Sequence, residues 1–407
     1  MLIYFLCMNV MEERGNKMTK DQRKKLFILM INMFIAIASF GIVIPILPAY
    51  LKSINQGGIA AGLMISIFAG AQLVMSPIAG KWADKYGRRI MIIAGLSGLA
   101  LSMFVFYLSD SIGVLYVSRA IGGVGAALLV PAIFAYVADI TTMEQRAKGN
   151  SLISAAMSLG IVVGPGIGGF LAEYGLKMPL LISALVGVVA VIFSTLVLKE
   201  SKPSDVATPD GKSESMAKEI AQSFKKPYFV PLVITLVMSF GLLAYESVLG
   251  LFVDDQFAAS PQDIAWMITA TGIVSVIIQV FVVDKVVRRF GEINVLRIFL
   301  GVAAFGFLLS ILISSYAFFF VITMIIFLST SILRPVLTTL ISKLAGNEQG
   351  FAMGMNNAYM SIGNVLGPLL AGALYDVNII YPFVLGLVVL VITTIGSIIW
   401  KGTKKIA

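Results

Sequence analysis

The stretch "EQRAKGNSLISAAMSLGIVVGPGIGG" (144–169) decides the fold, because "NEQGFAMGMNNAYMSIGNVLGPLLAG" (347–372) repeats its pattern. Both run Ser-x-Gly, then Gly-Pro, then a final Gly, and every matched pair of residues is separated by the same distance along the chain. Each stretch begins with polar residues and continues as an apolar segment. The chain is therefore a duplication in which two similar halves run in the same direction.

The composition places both halves in a membrane. Of 407 residues, 58% are hydrophobic and 13% are charged, whereas an average soluble domain has roughly 45–50% apolar and about 25% charged residues. Apolar stretches of at least about 18 residues predict membrane-spanning helices. We predict twelve spans, at 27–51, 60–79, 90–109, 113–137, 150–173, 178–198, 228–253, 262–283, 292–314, 317–340, 351–374 and 379–400.

One long polar segment, 199–227, divides these spans into six and six. It is rich in Lys, Ser, Pro and Asp, and it predicts a cytoplasmic linker with a short amphipathic helix. The expected fold is an all-α membrane protein with two pseudo-symmetric six-helix bundles, at 27–198 and 228–400. The tails 1–26 and 401–407 complete the chain. Two similar halves around a substrate site near the membrane midplane are typical of transporters.

The basic residues predict the orientation. We use "terminal side" for both termini and the loops after even-numbered spans, and "far side" for the loops after odd-numbered spans. Far-side loops contain only Lys52 and Lys177 of the 30 basic residues. The positive-inside rule then places both termini in the cytoplasm of a cell whose plasma membrane holds the protein. The net charge of +9 reflects this topology and requires no nucleic-acid partner.

Missing residue types exclude several kinds of chemistry. The chain has no histidine, and its one cysteine, Cys7, cannot form an intramolecular disulfide. Imidazole-based zinc or haem sites are excluded. An enzyme would need a nucleophile–base pair or a metal cluster, and the sequence shows neither. A sensor would need a sizeable soluble output domain, but the longest soluble segment is 199–227. Any proton carrier inside the membrane must therefore be a carboxylate.

Glu246 is the candidate carboxylate, because it is the one charged residue in the apolar stretch "SFGLLAYESVLGLFV" (239–253) of span 7. An unpaired charge in lipid costs several kcal/mol or more. A carboxyl group in an apolar site can be neutral or charged under physiological conditions, which is what proton coupling requires. The alternative is a fixed ion pair with Arg334 in span 10 or Arg119 in span 4. Arg119 itself has a coupling or substrate-orienting role, or reaches to the interface.

Four motifs carry a resemblance to a known family. They are "GIVIPILP" (41–48), "GKWADKYGRR" (80–89), "LYVSRAIGGVGAA" (115–127) and "GIVVGPGIGG" (160–169). The second resembles the signature between spans 2 and 3 of the major facilitator superfamily, with Trp82 in place of Leu, and "DKVVRR" (284–289) echoes it after span 8. The fourth is similar to the span 5 motif of drug:proton antiporters. From end to end the chain resembles bacterial multidrug efflux pumps of that family.

The resemblance implies roles for particular residues. Glu246 falls where these pumps carry a coupling glutamate, with Arg334 and Arg119 assisting. Asp84 and Arg88 would pair with Asp139 at the end of span 4 as a conformational latch.

In span 5, Gly160, Gly164 and Gly168 recur every four residues and Pro165 removes one backbone donor. This face suits close helix packing, a gating role, or both.

The substrate site is implied by position alone. The resemblance assigns five residues to it: Phe40, Phe68, Gln72, Phe327 and Asn364. Phe68 and Gln72 are four residues apart and share a helix face. Packing against lipid or other helices is the alternative for each Phe.

The chain departs from the family at Ser331, where these pumps carry an Asp three residues before the span 10 Arg-Pro pair. Glu246 would then act alone.

The expected function is proton-coupled export of amphipathic, often cationic or zwitterionic drugs and dyes, such as fluoroquinolone-like and ethidium-like compounds, by alternating access. The resemblance implies a monomer that needs no cofactor and is driven by the proton gradient. The alternative is a narrow-specificity, proton-coupled metabolite transporter of the same superfamily.

Overall fold

The structure, a computed structural model, describes residues 18–201, 216–346 and 348–400. Within these ranges the chain is helical apart from short connections, and no strand occurs. Twelve helices are long and apolar enough to cross a membrane, which confirms the predicted all-α membrane fold. Most of the N-terminal tail, the C-terminal tail and residues 202–215 of the linker lie outside the described residues.

The twelve spans are longer than predicted at several polar ends. In chain order they are Lys20–Ser53, Gly58–Tyr86, Arg88–Leu108, Ile112–Ile140, Met143–Ala172, Met178–Val197, Phe229–Phe257, Pro261–Phe281, Glu292–Leu312, Tyr316–Ala345, Gln349–Val377 and Tyr381–Ile399. The polar ends remain helical because an α-helix satisfies its own backbone hydrogen bonds within lipid and beyond it. Among the described residues, two short helices lie between spans: the linker helix, Met216–Ser223, and the loop helix, Val283–Phe290.

Glycines with positive φ occupy two equivalent turns on the terminal side, before spans 3 and 9. Gly87 (φ 101°) precedes span 3, and Gly291 (φ 75°) precedes span 9. Residues with a side chain rarely adopt this backbone conformation. The first residues of spans 3 and 9, Arg88 and Glu292, therefore follow equivalent glycine turns.

The described chain divides into two compact units. The first contains residues up to Val43, Ala71–Gly164 and the segment from Lys177 into the linker. The second contains Ile44–Gly70, Pro165–Leu176, the linker helix and spans 7–12. This division passes through spans 1, 2 and 5, so it differs from the predicted division at the linker.

Spans 3 and 4 pack tightly in the first unit. A Cβ added to Gly95 would come within 2.7 Å of the carbonyl oxygen of Gly125, so the two backbones lie against each other. The hydroxyl groups of Ser102 and Ser118 donate to each other's carbonyl oxygens at 2.7 Å. Small residues and reciprocal hydrogen bonds hold these spans together where lipid provides no hydrophobic drive for association.

The core of the second unit is aromatic. The Tyr245 ring meets Phe307 and Phe383 at centroid distances of 5.2 and 5.6 Å, and Phe383 meets Phe252 at 4.5 Å. The buried hydroxyl of Tyr245 forms a hydrogen bond of 2.7 Å with that of Thr323. Edge-on aromatic packing and this bond fix span 7 against its neighbours.

Candidate coupling and transport site

Glu246 is half-buried on span 7, between the buried residues Tyr245 and Ser247. Among the residues that the structure describes, its carboxylate forms no ion pair within 4.0 Å. Arg334, in the same compact unit, is close enough for its positive charge to act on Glu246 through space. The carboxylate is thus within electrostatic reach of a cation, and no ion pair holds it there.

Arg334 is exposed on span 10, one residue before Pro335. The Ser331 hydroxyl, where the family carries an acid, donates to the carbonyl oxygen of Phe327 at 2.8 Å. This bond lies within the helix and carries no charge. The structure therefore places Glu246 and Arg334 in one unit and supplies no second acid at position 331.

Arg119 is almost fully buried, with 3% of its surface exposed. Its guanidinium lies 4.8 Å from the centroid of the Phe106 ring and 4.0 Å from the sulfur of Met103. No carboxylate pairs with it among the described residues. An aromatic face compensates a buried guanidinium only in part, so Arg119 is a strong candidate for interaction with an anion or a polar ligand. It belongs to the first unit, whereas Glu246 and Arg334 belong to the second.

The five residues assigned to the substrate site fall in both units. Phe327 is half-buried, with its ring 6.2 Å from that of Tyr245. Asn364 has a buried Oδ1 atom without a described hydrogen-bond partner. Phe68 is buried in the second unit, and Phe40 and Gln72 are half-buried in the first. An unsatisfied amide oxygen is costly inside a membrane, which makes Asn364 the strongest of the five candidates.

The structure brings the three latch residues together in the first unit. Arg88 contacts Asp84 Oδ1 at 2.7 Å and Asp139 Oδ2 at 3.1 Å, and it donates to the carbonyl oxygen of Ala83 at 2.7 Å. Asp139 also accepts a hydrogen bond of 2.7 Å from Ser201 in the linker. The side chains of Arg88 and Asp139 are 8% and 3% exposed, so the pair is shielded from water.

The glycine face of span 5 packs against span 1 over part of its length. A Cβ on Gly160 would meet Ile37 at 2.9 Å, and one on Gly164 would meet the carbonyl oxygen of Ala38 at 2.8 Å. Gly168 is buried, as is Pro165. The closest approach beyond the proline is at Gly169, where a Cβ would lie 2.2 Å from that of Ala265 on span 8.

A group of charged residues at the far side was not predicted from the sequence. The Lys52 ammonium lies 2.7 Å from a carboxylate oxygen of Asp254 and 2.7 Å from one of Asp255. The Tyr375 hydroxyl donates to Asp255 at 2.7 Å. We call these four residues the far-side cluster. The one signal in the sequence was Lys52 itself, since basic residues are scarce on the far side.

Span 2 begins against the end of span 11. The Asp376 carboxylate accepts hydrogen bonds from the backbone N–H groups of Gly58 and Ile59, at 2.5 and 2.9 Å. A Cβ on Gly62 would come within 2.1 Å of the carbonyl oxygen of Pro368. An anionic side chain at a helix N-terminus is electrostatically favourable. Together with the far-side cluster, these contacts join spans 1 and 2 to spans 7 and 11 within the second unit.

A twelve-span helical membrane protein with intramembrane charges and a duplicated architecture belongs to the class of membrane transporters. Comparison with known protein families supports the same class. The sequence profile of the Major Facilitator Superfamily matches residues 29–256 and 232–405. The chain belongs to this superfamily.

Individual relatives are similar along almost their whole length. Multidrug resistance protein 2 of Bacillus subtilis is 39% identical over 96% of this chain and 98% of its own. Multidrug resistance protein 1 of the same organism is 41% identical, over 93% and 96%. The quinolone resistance protein NorA of Staphylococcus aureus is 35% identical, over 88% and 92%.

Solved structures share the fold at low identity. A bacterial homologue of the human lysosomal transporter Spinster, in an inward-facing and occupied conformation, has a TM-score of 0.78 at 15% identity and covers 95% of this chain and 98% of that one. A nucleoside transporter has a TM-score of 0.76 at 14% identity, with 92% and 99% coverage.

Proposed function

We propose that the protein is a proton-coupled multidrug efflux transporter of the cell membrane, with both termini in the cytoplasm. Its substrates are amphipathic, often cationic or zwitterionic drugs and dyes, including fluoroquinolone-like and ethidium-like compounds. The names of the relatives support this substrate class. The protein works as a monomer, needs no cofactor and is driven by the proton gradient.

The observation that carries the proposal is the position of Glu246. It is a carboxylate in an apolar span within electrostatic reach of Arg334, and no ion pair fixes it among the described residues. Such a group can bind a proton when it is open to one side of the membrane and release it when open to the other. A proton that enters from outside would favour return to the cytoplasm-facing state. Drug that enters from the cytoplasm or inner leaflet would favour release of that proton.

Alternating access also requires contacts that break. In this structure the far-side cluster and the Asp376 contacts hold the far ends of spans 1 and 2 to spans 7 and 11. Opening to the outside must separate these residues. On the terminal side, the ion pairs of Arg88 with Asp84 and Asp139 order the loop between spans 2 and 3. They are already formed while the far-side contacts are in place, so as the latch of the outward-facing state they would have to strengthen when the far side opens.

Reconstitution into vesicles under an imposed pH gradient tests the proposal. Wild-type protein should concentrate a cationic dye against its gradient, and Glu246→Gln should bind the dye without concentrating it. The matched control is Glu173→Gln, which removes an exposed carboxylate from the loop after span 5. Normal pumping by Glu246→Gln would show that the coupling assignment is wrong.

The same vesicles separate multidrug export from narrow specificity. Several chemically unrelated dyes and a fluoroquinolone should each be transported and should compete with one another. Saturable transport of a single compound, with no effect of the others, would instead indicate the narrow metabolite transporter. Ser331→Asp then tests whether a second acid changes the number of protons exchanged for each drug.

A further inference from the structure

The loop helix, Val283–Phe290, divides into two faces that the transport proposal does not use. Lys285, Arg288 and Arg289 are three and four residues apart, so they form a basic stripe, and all three are exposed. The opposite face is apolar, with Val283 buried and Phe290 48% exposed. Immediately before the helix, Phe281 is 64% exposed. The helix thus presents basic and aromatic side chains together.

The basic stripe lacks an acidic partner within the described part of the chain. Asp284 is one turn before Arg288, but the two form no ion pair there. The Arg289 guanidinium lies 5.7 Å from the centroid of the Phe290 ring. The contrast with the first half is direct, because Arg88 lies between two carboxylates. The stripe is therefore available to an anion from outside the protein.

The position of the helix limits what that anion can be. The loop helix joins the end of span 8 at Phe281 to the start of span 9 at Glu292, so it lies at the membrane surface. Exposed phenylalanines beside a basic stripe are typical of helices at the interface between headgroups and acyl chains. We infer that the loop helix binds the phosphate of an anionic phospholipid through Arg288 and Arg289, with Phe281 and Phe290 among the acyl chains.

Lipid retention by the full-length protein tests this inference. Protein in detergent is mixed with equal amounts of phosphatidylglycerol and phosphatidylcholine, and the lipids that remain bound are counted by native mass spectrometry. Arg288→Gln with Arg289→Gln should lower phosphatidylglycerol affinity about 25-fold, since each basic residue near an anionic surface contributes a factor of about five. Phosphatidylcholine binding should not change. High salt should weaken the wild-type interaction in the same direction.

The matched control is Lys20→Gln with Lys24→Gln, which removes two exposed charges from the start of span 1. It should lower phosphatidylglycerol affinity much less, because Asp21 lies in the same helical turn and offsets the positive charge there. The variant Phe290→Trp, in a protein that also carries Trp82→Phe, Trp266→Phe and Trp400→Phe, provides a local readout. Brominated phosphatidylglycerol should quench its fluorescence more than brominated phosphatidylcholine. Equal losses in both double variants, equal quenching by both lipids, or binding of soluble polyglutamate in preference to phosphatidylglycerol would each overturn the inference.

Discussion

The terminal-side turns of the two halves carry the same kind of contact with opposite polarity. In the first half, Arg88 follows the Gly87 turn and pairs with Asp139 near the end of span 4. In the second half, Glu292 follows the Gly291 turn and pairs with Lys343 near the end of span 10. The duplication thus retains an ion pair at this place in each half, but the charges are exchanged.

The two pairs also differ in exposure. The side chains of Arg88 and Asp139 are 8% and 3% exposed, whereas those of Lys343 and Glu292 are 50% and 20% exposed. A buried pair loses much more when one partner is removed, because the other charge remains in a poorly solvated site. The difference indicates that the buried pair of the first half stabilises its turn. In the second half the exposed pair contributes less, and Arg288 and Arg289 of the loop helix take no part in it.

The largest expected effect comes from breaking the buried pair. Arg88→Ala should lower the free energy of unfolding by about 3 kcal/mol, because Asp139 is left buried without its cation. Lys343→Ala should cost no more than about 1 kcal/mol, as expected for an exposed pair. Denaturant unfolding in detergent micelles measures both. Equal losses in the two variants would show that the difference in burial has no energetic consequence.

Substitutions at the two glycine turns should differ less in their cost to the free energy of unfolding. Either Gly87→Ala or Gly291→Ala should cost about 1–3 kcal/mol, because both backbones have a positive φ. Gly87→Ala should cost slightly more, because its Cβ would displace the exposed Glu200 carboxylate, which it would approach to 2.5 Å, from its hydrogen bond with the Arg89 N–H, whereas nothing lies within 4 Å at Gly291. The same unfolding measurement ranks the two variants, and the reverse ranking would contradict the packing at Gly87.

Exchanging the charges of the exposed pair should have little effect. Glu292→Lys with Lys343→Glu should regain most of the stability that either single variant loses, to within about 0.5 kcal/mol, because a surface pair has few other constraints. Arg88→Asp with Asp139→Arg should not recover, since Arg88 also donates to Ala83 and Asp139 also accepts from Ser201. A double-mutant cycle for each pair makes the comparison. Full recovery in the first half would argue against a specific buried network.

The smallest effect concerns the docking of the linker helix. Lys226 donates to Glu348 at 2.7 Å, and this hydrogen bond holds the pKa of Glu348 below its usual value. A lowered pKa means that the contact stabilises the folded protein at neutral pH and is lost as the pH falls from the usual pKa of a glutamate through the lowered one. Hydrogen exchange of Met216–Ser223, corrected for its intrinsic pH dependence, should rise there in wild type. The rise should be smaller in Lys226→Gln, and identical profiles would contradict the prediction.

The membrane fold was predictable because span length, apolar composition and the repeated Gly-Pro pattern are local features of the sequence. The reversed ion pair was not. "DKVVRR" (284–289) resembles "DKYGRR" (84–89) in its letters, but its glycine comes after the arginines, at Gly291 rather than before them. The loop helix therefore continues to Phe290, and Glu292 takes the place that Arg88 has in the first half. The similarity of the two short motifs therefore did not predict the position of the turn.

The other features that the sequence did not predict depend on contacts between residues far apart in the chain. The far-side cluster joins Lys52 to Asp254 and Asp255, and nothing local in the sequence indicates that these segments meet. The unsatisfied oxygen of Asn364 likewise depends on the packing around span 11. By contrast, Glu246 could be singled out from the sequence, because a lone carboxylate in an apolar span is costly wherever its neighbours lie.

The most direct test of proton-coupled export is to let the drug drive the proton. Protein is reconstituted into vesicles with a pH-sensitive dye inside and no initial pH gradient, and a cationic drug is then applied on one side. Wild-type protein should move protons opposite to the drug and change the internal pH, and Glu246→Gln should abolish this change while still binding the drug. Drug movement by the wild type without any proton movement would contradict the account.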